Sequence, residues 1–243
     1  MLLAYVTLEI RRTLRDTGFV IFGVGMPVMM YLLFTNLGVS GSEEDKAAAL
    51  AAMIGMAAYG ALGSALAAGT GVAEDKGHGW LRQLRITPMS PSQVVVGRCL
   101  SGSVTVLPAI LAVLLAGRLV NGVDLRLWQW GAIAGLLWAG TAPFTLLGLG
   151  NGYRLTAQTT GVVNVACNLG LSVVGGLWFP TSLFPGWLRA VSRWTPSHRF
   201  GELGWSVTGG TAPHLGTVAV LAGWTAVFGA YATYAYRRSA RTV

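Results

Sequence analysis

The residues that could carry out catalysis are few and scattered in this chain of 243 residues. Its three histidines, His78, His198 and His214, have no carboxylate or thiol at the spacing of a metal site. The sequence holds no Gly-x-x-x-x-Gly-Lys-Ser/Thr phosphate loop and no His-Glu-x-x-His zinc motif. No histidine lies deep in an apolar segment, where it could act as the base of a serine hydrolase. We therefore expect no nucleotide hydrolysis, no metal and no organic cofactor in this chain.

A second group of polar residues is spaced regularly. Asn164, Asn168 and Ser172 recur every four residues, which places them in one stripe along a helix. Polar groups inside a membrane face protein or a cavity rather than lipid. The stripe has two interpretations: a translocation path or subunit interface, or hydrogen bonding between helices that serves packing alone.

The apolar segments contain no Asp, Glu, Lys or Arg near their centres. Carriers driven by proton or sodium gradients usually need such groups as relays or binding sites. Their absence argues against a transporter of that kind. If this chain moves a solute uphill, a partner must supply the energy.

The composition places all these residues in a membrane. Hydrophobic residues make up 53% of the chain and charged residues 11%, against about 25% charged residues in soluble domains. A membrane-spanning helix needs roughly 20 apolar residues, so six would use about half of the chain. We predict an all-α integral membrane protein with a single transmembrane domain, residues 1–243. Its six predicted spans are residues 19–37, 47–72, 94–116, 127–149, 159–179 and 215–236.

Three other segments complete the predicted topology. In residues 1–16, apolar positions at helical spacing lie opposite Arg11 and Arg15, which predicts an interfacial amphipathic helix rather than a solvated end. Residues 73–92 form the most polar loop. Residues 180–210 combine aromatic residues with arginines, which favours short interfacial or re-entrant helices in the outer leaflet.

The distribution of basic residues predicts the orientation of the chain in the membrane. The net charge is +8, and eleven of the 17 Lys and Arg residues lie on the face that holds both predicted termini. Cytoplasmic loops carry an excess of such residues, so both termini are predicted to be cytoplasmic. This bias explains the positive charge without a nucleic-acid partner.

Three segments share their order and spacing with a known family. The first is the amphipathic start followed directly by a span. The last of the three, after the fifth predicted span, contains GGLWFP from Gly175 and FPGWLRAVSRWTPSHRFGEL from Phe184. The second is a loop with an acidic residue, a glycine, leucines, a Thr-Pro and a Gly-Arg, which here are Glu74, Gly77, Leu81, Leu84, Thr87, Pro88, Gly97 and Arg98. Together they resemble the membrane subunits of type-2 ABC transporters, in the branch of small bacterial drug exporters of the daunorubicin type.

The resemblance implies a mechanism. Two membrane subunits would pair with two copies of a separate ATPase subunit, which binds ATP and magnesium. A coupling helix in residues 73–92 would dock on the ATPase through an apolar ridge; the alternative is a solvated loop whose basic edge meets anionic lipid. Residues 180–210 would form an extracellular lid that includes Phe184, Trp187 and Trp194. The candidate coupling residues are Glu74, Gly77, Trp80, Leu81, Arg82, Leu84, Arg85, Thr87 and Pro88.

The implied function is export of an amphipathic or hydrophobic compound, such as a drug or antibiotic, across the bacterial cytoplasmic membrane. Two alternatives stay open: a lipid or polysaccharide exporter of the same family, and a membrane assembly protein that does not transport. The second permease subunit could be an identical or a related chain. The substrate is not named by the sequence, and the direction of transport comes from the resemblance alone.

Overall fold

The computed structural model describes residues 17–36, 43–77, 99 and 102–242, and these are helical apart from turns and short connections. The interfacial helix predicted at residues 1–16 lies outside the described residues. The helices, in chain order, are a π-helical segment Phe19–Gly25, α1 Met26–Asn36, α2 Glu43–Gly77, α3 Leu107–Leu119, α4 Leu127–Gly140, α5 Ala142–Arg154, α6 Ala157–Val174, a 3₁₀ turn Thr181–Leu183, α7 Gly186–Ser192, α8 Pro196–Thr208 and α9 Leu215–Thr242.

Several of these helices are suited to a bilayer. Within the described residues, four stretches are long and apolar enough to cross a membrane. Val20–Asn36 is a shorter apolar stretch, and α6 has 18 residues. The prediction of an all-helical membrane protein is confirmed, and the number of six spans stays a prediction. The four long stretches are Lys46–Gly77, Gly102–Leu119, Leu127–Arg154 and Leu215–Ser239.

The fourth predicted span is two helices rather than one. Helix α4 ends at Gly140 and α5 begins at Ala142, with Thr141 between them. Pro143 stands in the first turn of α5, where its missing N–H cannot continue the hydrogen bonds of α4. Helix α5 then continues to Arg154, beyond the predicted end of the span at residue 149.

The fifth predicted span ends early. Helix α6 stops at Val174, and Gly176 has a φ of 75°, a left-handed conformation that favours glycine. The Leu177 amide donates to the Ser172 carbonyl at 3.0 Å across this turn. This arrangement is a Schellman-type helix end, so residues 175–179 leave the helix instead of completing the span.

Helix α2 lies at the centre of the molecule. It packs against α1, α3, α5 and α6, and its middle turns supply buried Met53, Ile54, Leu62 and Leu66. Helix α5 lies between α2 and α9. Most of α9 is exposed on the surface of the single chain, as expected for a helix that faces lipid or another subunit.

Candidate functional site

The predicted coupling residues lie mostly beyond the described chain. Glu74 and Gly77 occupy the last turn of α2 and are exposed. Among the described residues, no atom lies within 4 Å of the position that a side-chain carbon at Gly77 would occupy. The other seven fall outside the described residues: Trp80, Leu81, Arg82, Leu84, Arg85, Thr87 and Pro88.

Lys76 connects this end of α2 to the end of α5. Its Nζ donates to three backbone carbonyls, those of Gly152 at 3.3 Å, Tyr153 at 3.1 Å and Leu155 at 2.6 Å. The last carbonyls of a helix have no partner within that helix and carry its negative dipole end. The ammonium group therefore caps α5 at the point where the loop after α2 begins.

A buried network of polar side chains lies next to this cap. The Asn151 amide donates to Asn164 Oδ1 at 2.9 Å, and Asn164 Nδ2 donates to the Leu66 carbonyl at 2.8 Å. The Tyr231 hydroxyl donates to Asn151 Oδ1 at 3.0 Å. Asn164 is 5% exposed and Asn151 6% exposed. The network therefore connects α2, α5, α6 and α9, and it satisfies amides that would be costly in lipid.

Close approach of α2 and α5 brings these groups together. A side-chain carbon at Gly69 would collide with the backbone of Gly148, and one at Gly148 would collide with the backbone of Leu66. A side-chain carbon at Gly152 would likewise collide with the backbone of Gly69. Glycines four residues apart let two helix backbones come into contact, as in other membrane proteins. Here they make the two helices a tightly packed pair.

The remaining stripe residues differ from Asn164. Ser172 is fully buried, and its hydroxyl has no hydrogen-bond partner among the residues that the structure describes. Asn168 is partly buried beside Gly63 of α2, and its Oδ1 is also unpartnered. Asn164 and Asn168 belong to the side of α6 that meets α2, whereas Val162 and Val173 are exposed. Asn164 thus serves packing within one chain, and the path or interface role of the stripe stays a prediction.

The predicted lid segment contains short helices anchored by arginine. Arg189 of α7 donates to the carbonyls of Thr181 at 3.2 Å, Ser182 at 2.6 Å and Phe184 at 3.2 Å. Phe184 is half-buried, while Trp187 is 70% exposed and Trp194 68% exposed. The exposed indoles suit the headgroup region of a bilayer. Their role in a lid stays a prediction.

The carboxylate of Glu202 connects α8 to α9. Arg199 donates to Glu202 Oε2 at 2.8 Å, and the same oxygen accepts from the Thr217 hydroxyl at 2.9 Å. Burial alone would raise the pKa of Glu202, but these hydrogen bonds outweigh it and hold the pKa below its usual value. The pKa of His198, on the same helix, is also lowered, but here burial is the cause. Burial lowers its pKa despite a 3.1 Å contact between Nδ1 and the Gly175 carbonyl.

Sequence reasoning misses the roles of Asn151, Lys76 and Tyr231. The span prediction leaves Asn151 in a loop, although the Gly148-x-x-x-Gly152 spacing around it is a signal for a helix that packs closely. Lys76 enters the prediction only as a basic residue of the polar loop. Tyr231 carries no sequence signal, because its partner depends on how α9 is rotated against α5. In the part of the chain that the structure describes, no three His, Cys, Asp or Glu side chains gather as a metal site.

Fold and site together define a polytopic helical membrane protein whose buried polar groups connect its helices. Comparison with known proteins identifies the class more closely. Residues 2–203 match the ABC-2 type transporter family, and the chain belongs to that family. Membership implies an ABC ATPase as partner, with this chain as a transport component.

A curated relative supports the same assignment. The chain is 25% identical over 232 residues to the Bacillus subtilis (strain 168) protein named "Putative transport permease YvfS". The alignment covers 95% of this chain and 94% of that protein. The similarity therefore extends over nearly the full length of both chains.

Proposed function

We propose that this chain is the permease subunit of an exporter that moves an amphipathic or hydrophobic compound, such as a drug, across the bacterial cytoplasmic membrane. Two copies of an ABC ATPase and a second permease copy, identical or related, complete the transporter. Both termini lie in the cytoplasm, and ATP and magnesium bind to the ATPase. The proposal deepens the family assignment by stating direction, substrate class and stoichiometry.

The observation that carries the proposal is the connection at the Gly77 end of α2. Lys76, two residues after Glu74, holds three carbonyls at the end of α5. The loop with the candidate coupling residues starts directly after Gly77. A displacement of that loop by an ATPase would thus move α2 and α5 together, and through the Asn151 network also α6 and α9.

The substrate class follows from the chemistry of the spans. Their central polar groups are amides and hydroxyls without formal charge, including Asn164, Asn168 and Ser172. A charged solute would have no counter-ion there, and an unpaired charge in a low-dielectric region is costly. An apolar or amphipathic compound meets no such cost, which supports an amphipathic substrate.

The first test is co-purification with the ABC ATPase encoded beside this gene, followed by ATP hydrolysis in lipid with and without amphipathic drugs. We expect a stable complex whose turnover changes with a drug. If the chain purifies alone and no ATP-dependent movement of a compound is seen, the proposal fails and an assembly role takes its place.

A variant tests the coupling residues within that complex. The double change Trp80→Ala with Leu84→Ala should reduce co-purification with the ATPase about tenfold or more while membrane insertion persists, because two of the proposed apolar contacts with the ATPase are lost. The matched control is Leu127→Ala with Trp128→Ala, which removes the same residue types from an exposed position on α4. Unchanged co-purification and transport in the first variant would contradict docking through this ridge.

A further inference from the structure

The connection between α7 and α8 carries exposed apolar side chains and an arginine. Trp187 and Val191 lie four residues apart on one face of α7, and Trp194 follows two residues after the helix ends. The exposed fractions of these three side chains are 70%, 51% and 68%. Arg193, the residue directly after α7, is exposed as well. We call Trp187, Val191, Arg193 and Trp194 the elbow surface.

Hydrogen bonds place this connection beside two spans and below the end of each. The Trp224 indole of α9 donates to the Trp194 carbonyl at 2.9 Å. Trp224 follows Leu215, the first residue of α9, by nine residues, so the contact lies about 13 Å along this helix from its start. The Ser197 hydroxyl donates to the Leu171 carbonyl at 2.6 Å, one turn before α6 ends. The connection therefore reaches into the bundle rather than lying across the helix ends.

The opposite ends of the same two helices give the depth of the elbow surface in the bilayer. Tyr236 of α9 packs against Tyr153 at the end of α5, beside the Lys76 cap, with ring centroids 5.1 Å apart. Trp224 lies about 18 Å along α9 from Tyr236, and Leu171 lies about 21 Å from the start of α6. The hydrocarbon layer of a bilayer is about 30 Å thick, so the elbow surface lies in the leaflet farther from that cap, about 10 Å below its surface. In the proposed orientation this is the outer leaflet.

The arginines of α7 and α8 differ in their partners. Arg189 donates to three backbone carbonyls, and Arg199 donates to Glu202 at 2.8 Å and to the Arg193 carbonyl at 2.7 Å. The guanidinium of Arg193 itself has neither a hydrogen bond nor an ion pair with the residues that the structure describes. An unpaired charge at this depth is costly, because hydrocarbon cannot solvate it. Arg193 therefore requires an anion from outside the chain.

The surroundings of Arg193 favour a phospholipid as the source of that anion. A guanidinium donates two parallel hydrogen bonds to a phosphate, and its long stem can extend toward the headgroups. The exposed indoles of Trp187 and Trp194 suit the region just below the phosphates. On the adjoining α9, the exposed residues between 215 and 230 are all apolar, which suits acyl chains. Residues 186–208 contain three arginines and one glutamate, a net charge of +2 that favours an anionic headgroup.

We propose that the elbow surface binds one anionic phospholipid of the outer leaflet. The guanidinium of Arg193 donates to the phosphate of this lipid, and the rings of Trp187 and Trp194 contact its glycerol backbone and the upper part of its acyl chains. The lipid supplies the partner that Arg193 lacks within the chain, and it holds the α7–α8 connection against α9. The inference does not rest on the proposed transport function, because it involves neither ATP, nor the ATPase, nor the exported compound.

The test measures how tightly the purified full-length chain binds phosphatidylglycerol in detergent micelles. Native mass spectrometry resolves the chain with zero, one and more bound lipids, and a titration gives the dissociation constant of the first lipid. Arg193→Gln removes the charge, and we expect about tenfold weaker binding or more, as for a lost hydrogen bond to a charged group. Arg193→Lys keeps the charge without the planar fork and should recover part of the loss. Phosphatidylcholine, which has no net charge, should bind the unchanged protein about fivefold more weakly.

A matched control removes an arginine that already has a partner. Arg118, in the last turn of α3, forms an ion pair with Asp124 at 2.8 Å. Arg118→Gln lowers the net charge by the same amount as Arg193→Gln and should bind phosphatidylglycerol within about twofold of the unchanged protein. Equal binding by the unchanged protein, Arg193→Gln and Arg118→Gln would overturn the proposal. Equal affinity of the unchanged protein for phosphatidylglycerol and phosphatidylcholine would also overturn it, because no anionic headgroup would then be selected.

The same spectra report the oligomeric state, which identifies a competing partner for Arg193. If Arg193→Gln shifts the chain from dimer to monomer and leaves lipid binding unchanged, the anion is a carboxylate of a second copy and the proposal fails. Weaker lipid binding at an unchanged oligomeric state and melting temperature supports the proposal. Because the titration contains no ATP and no ATPase, this result stands even where the exporter proposal fails. Conversely, drug export by a protein whose lipid binding does not depend on Arg193 contradicts this inference alone.

Discussion

The two ends of α2 are packed differently. At the Gly77 end, glycines bring backbones into contact, and the amides of Asn151 and Asn164 find partners in neighbouring helices. At the Glu43 end, alanines of α2 and the rings of Phe34, Trp178, Phe179 and Trp205 line a cavity of about 780 Å³. Ala51 and Leu66 are separated by about 22 Å of helix. One end of α2 is thus tightly packed against its neighbours, while the other borders open space.

The largest loss of stability is expected from a substitution at the backbone contact between α2 and α5. Gly148→Ala places a side-chain carbon against the backbone of Leu66, which cannot move aside as a side chain would. We expect a loss of about 2 kcal/mol or more in the free energy of unfolding. Gly131→Ala is the control, because no atom lies within 4 Å of its added carbon and alanine favours the helix. Melting temperatures in detergent measure both, and equal values would contradict the close packing.

The next largest effect is a difference in stability between substitutions of Asn164 and Asn168. Asn164→Leu removes the bonds to Asn151 and to the Leu66 carbonyl, and we expect a loss of about 1 kcal/mol in stability. Asn168→Leu removes a side chain whose Oδ1 has no partner, so stability should hold or rise. Thermal melting ranks the two variants. Transport by Asn168→Leu then decides whether this residue belongs to a path or an interface, because unchanged transport would leave it neither role.

Lys76→Met tests the cap of α5 by removing the ammonium group and keeping the apolar stem. We expect about 0.5 kcal/mol of lost stability from the carbonyls and helix dipole. The larger consequence is expected in coupling, as drug-stimulated ATP turnover should fall while basal hydrolysis persists. Lys46→Met, which changes the other lysine at the opposite end of the same helix, is the control. Equal stimulation in both variants would show that the cap does not transmit movement.

The smallest expected effect is the dependence of stability on pH through His198 and Glu202 of α8. Because burial lowers the pKa of His198, the folded chain binds fewer protons there than the unfolded chain. Stability is therefore lost as the pH falls below the usual histidine pKa of about 6.5. The lowered pKa of Glu202 acts at more acidic pH, because its contribution is present above the usual carboxyl pKa. We expect His198→Gln to flatten the dependence of the melting temperature on pH between about pH 7.5 and 5.5.

Much of the fold could be predicted because hydrophobic length is a local property. The long apolar runs of α2 and α9 and the Thr195-Pro196 start of α8 are visible in the sequence. The breaks were less visible. Pro143 divides the fourth predicted span, and Gly176 ends α6 before residue 179. Both residue types are known helix terminators, but long apolar segments tolerate them often enough in membranes to hide the boundary.

The candidate site could be predicted in part. The stripe containing Asn164 follows from spacing by fours, and the loop after Gly77 follows from its polarity and resemblance. Asn151 and Lys76 could not be assigned, because the role of each depends on a group on another helix, distant in sequence. Lys76 and Gly152 lie on different helices, and no periodic pattern relates them.

The sequence alone determined that this chain is a helical membrane protein, and it contained the resemblance to type-2 ABC transporters. These properties follow from apolar run length, charge distribution and local motifs. Only the tertiary structure decided which amides meet, which lysine caps which helix and where a cavity remains. The physical reason is that helix rotation and depth are set by packing between helices, and a shift of one residue would give Asn164 and Trp178 different neighbours.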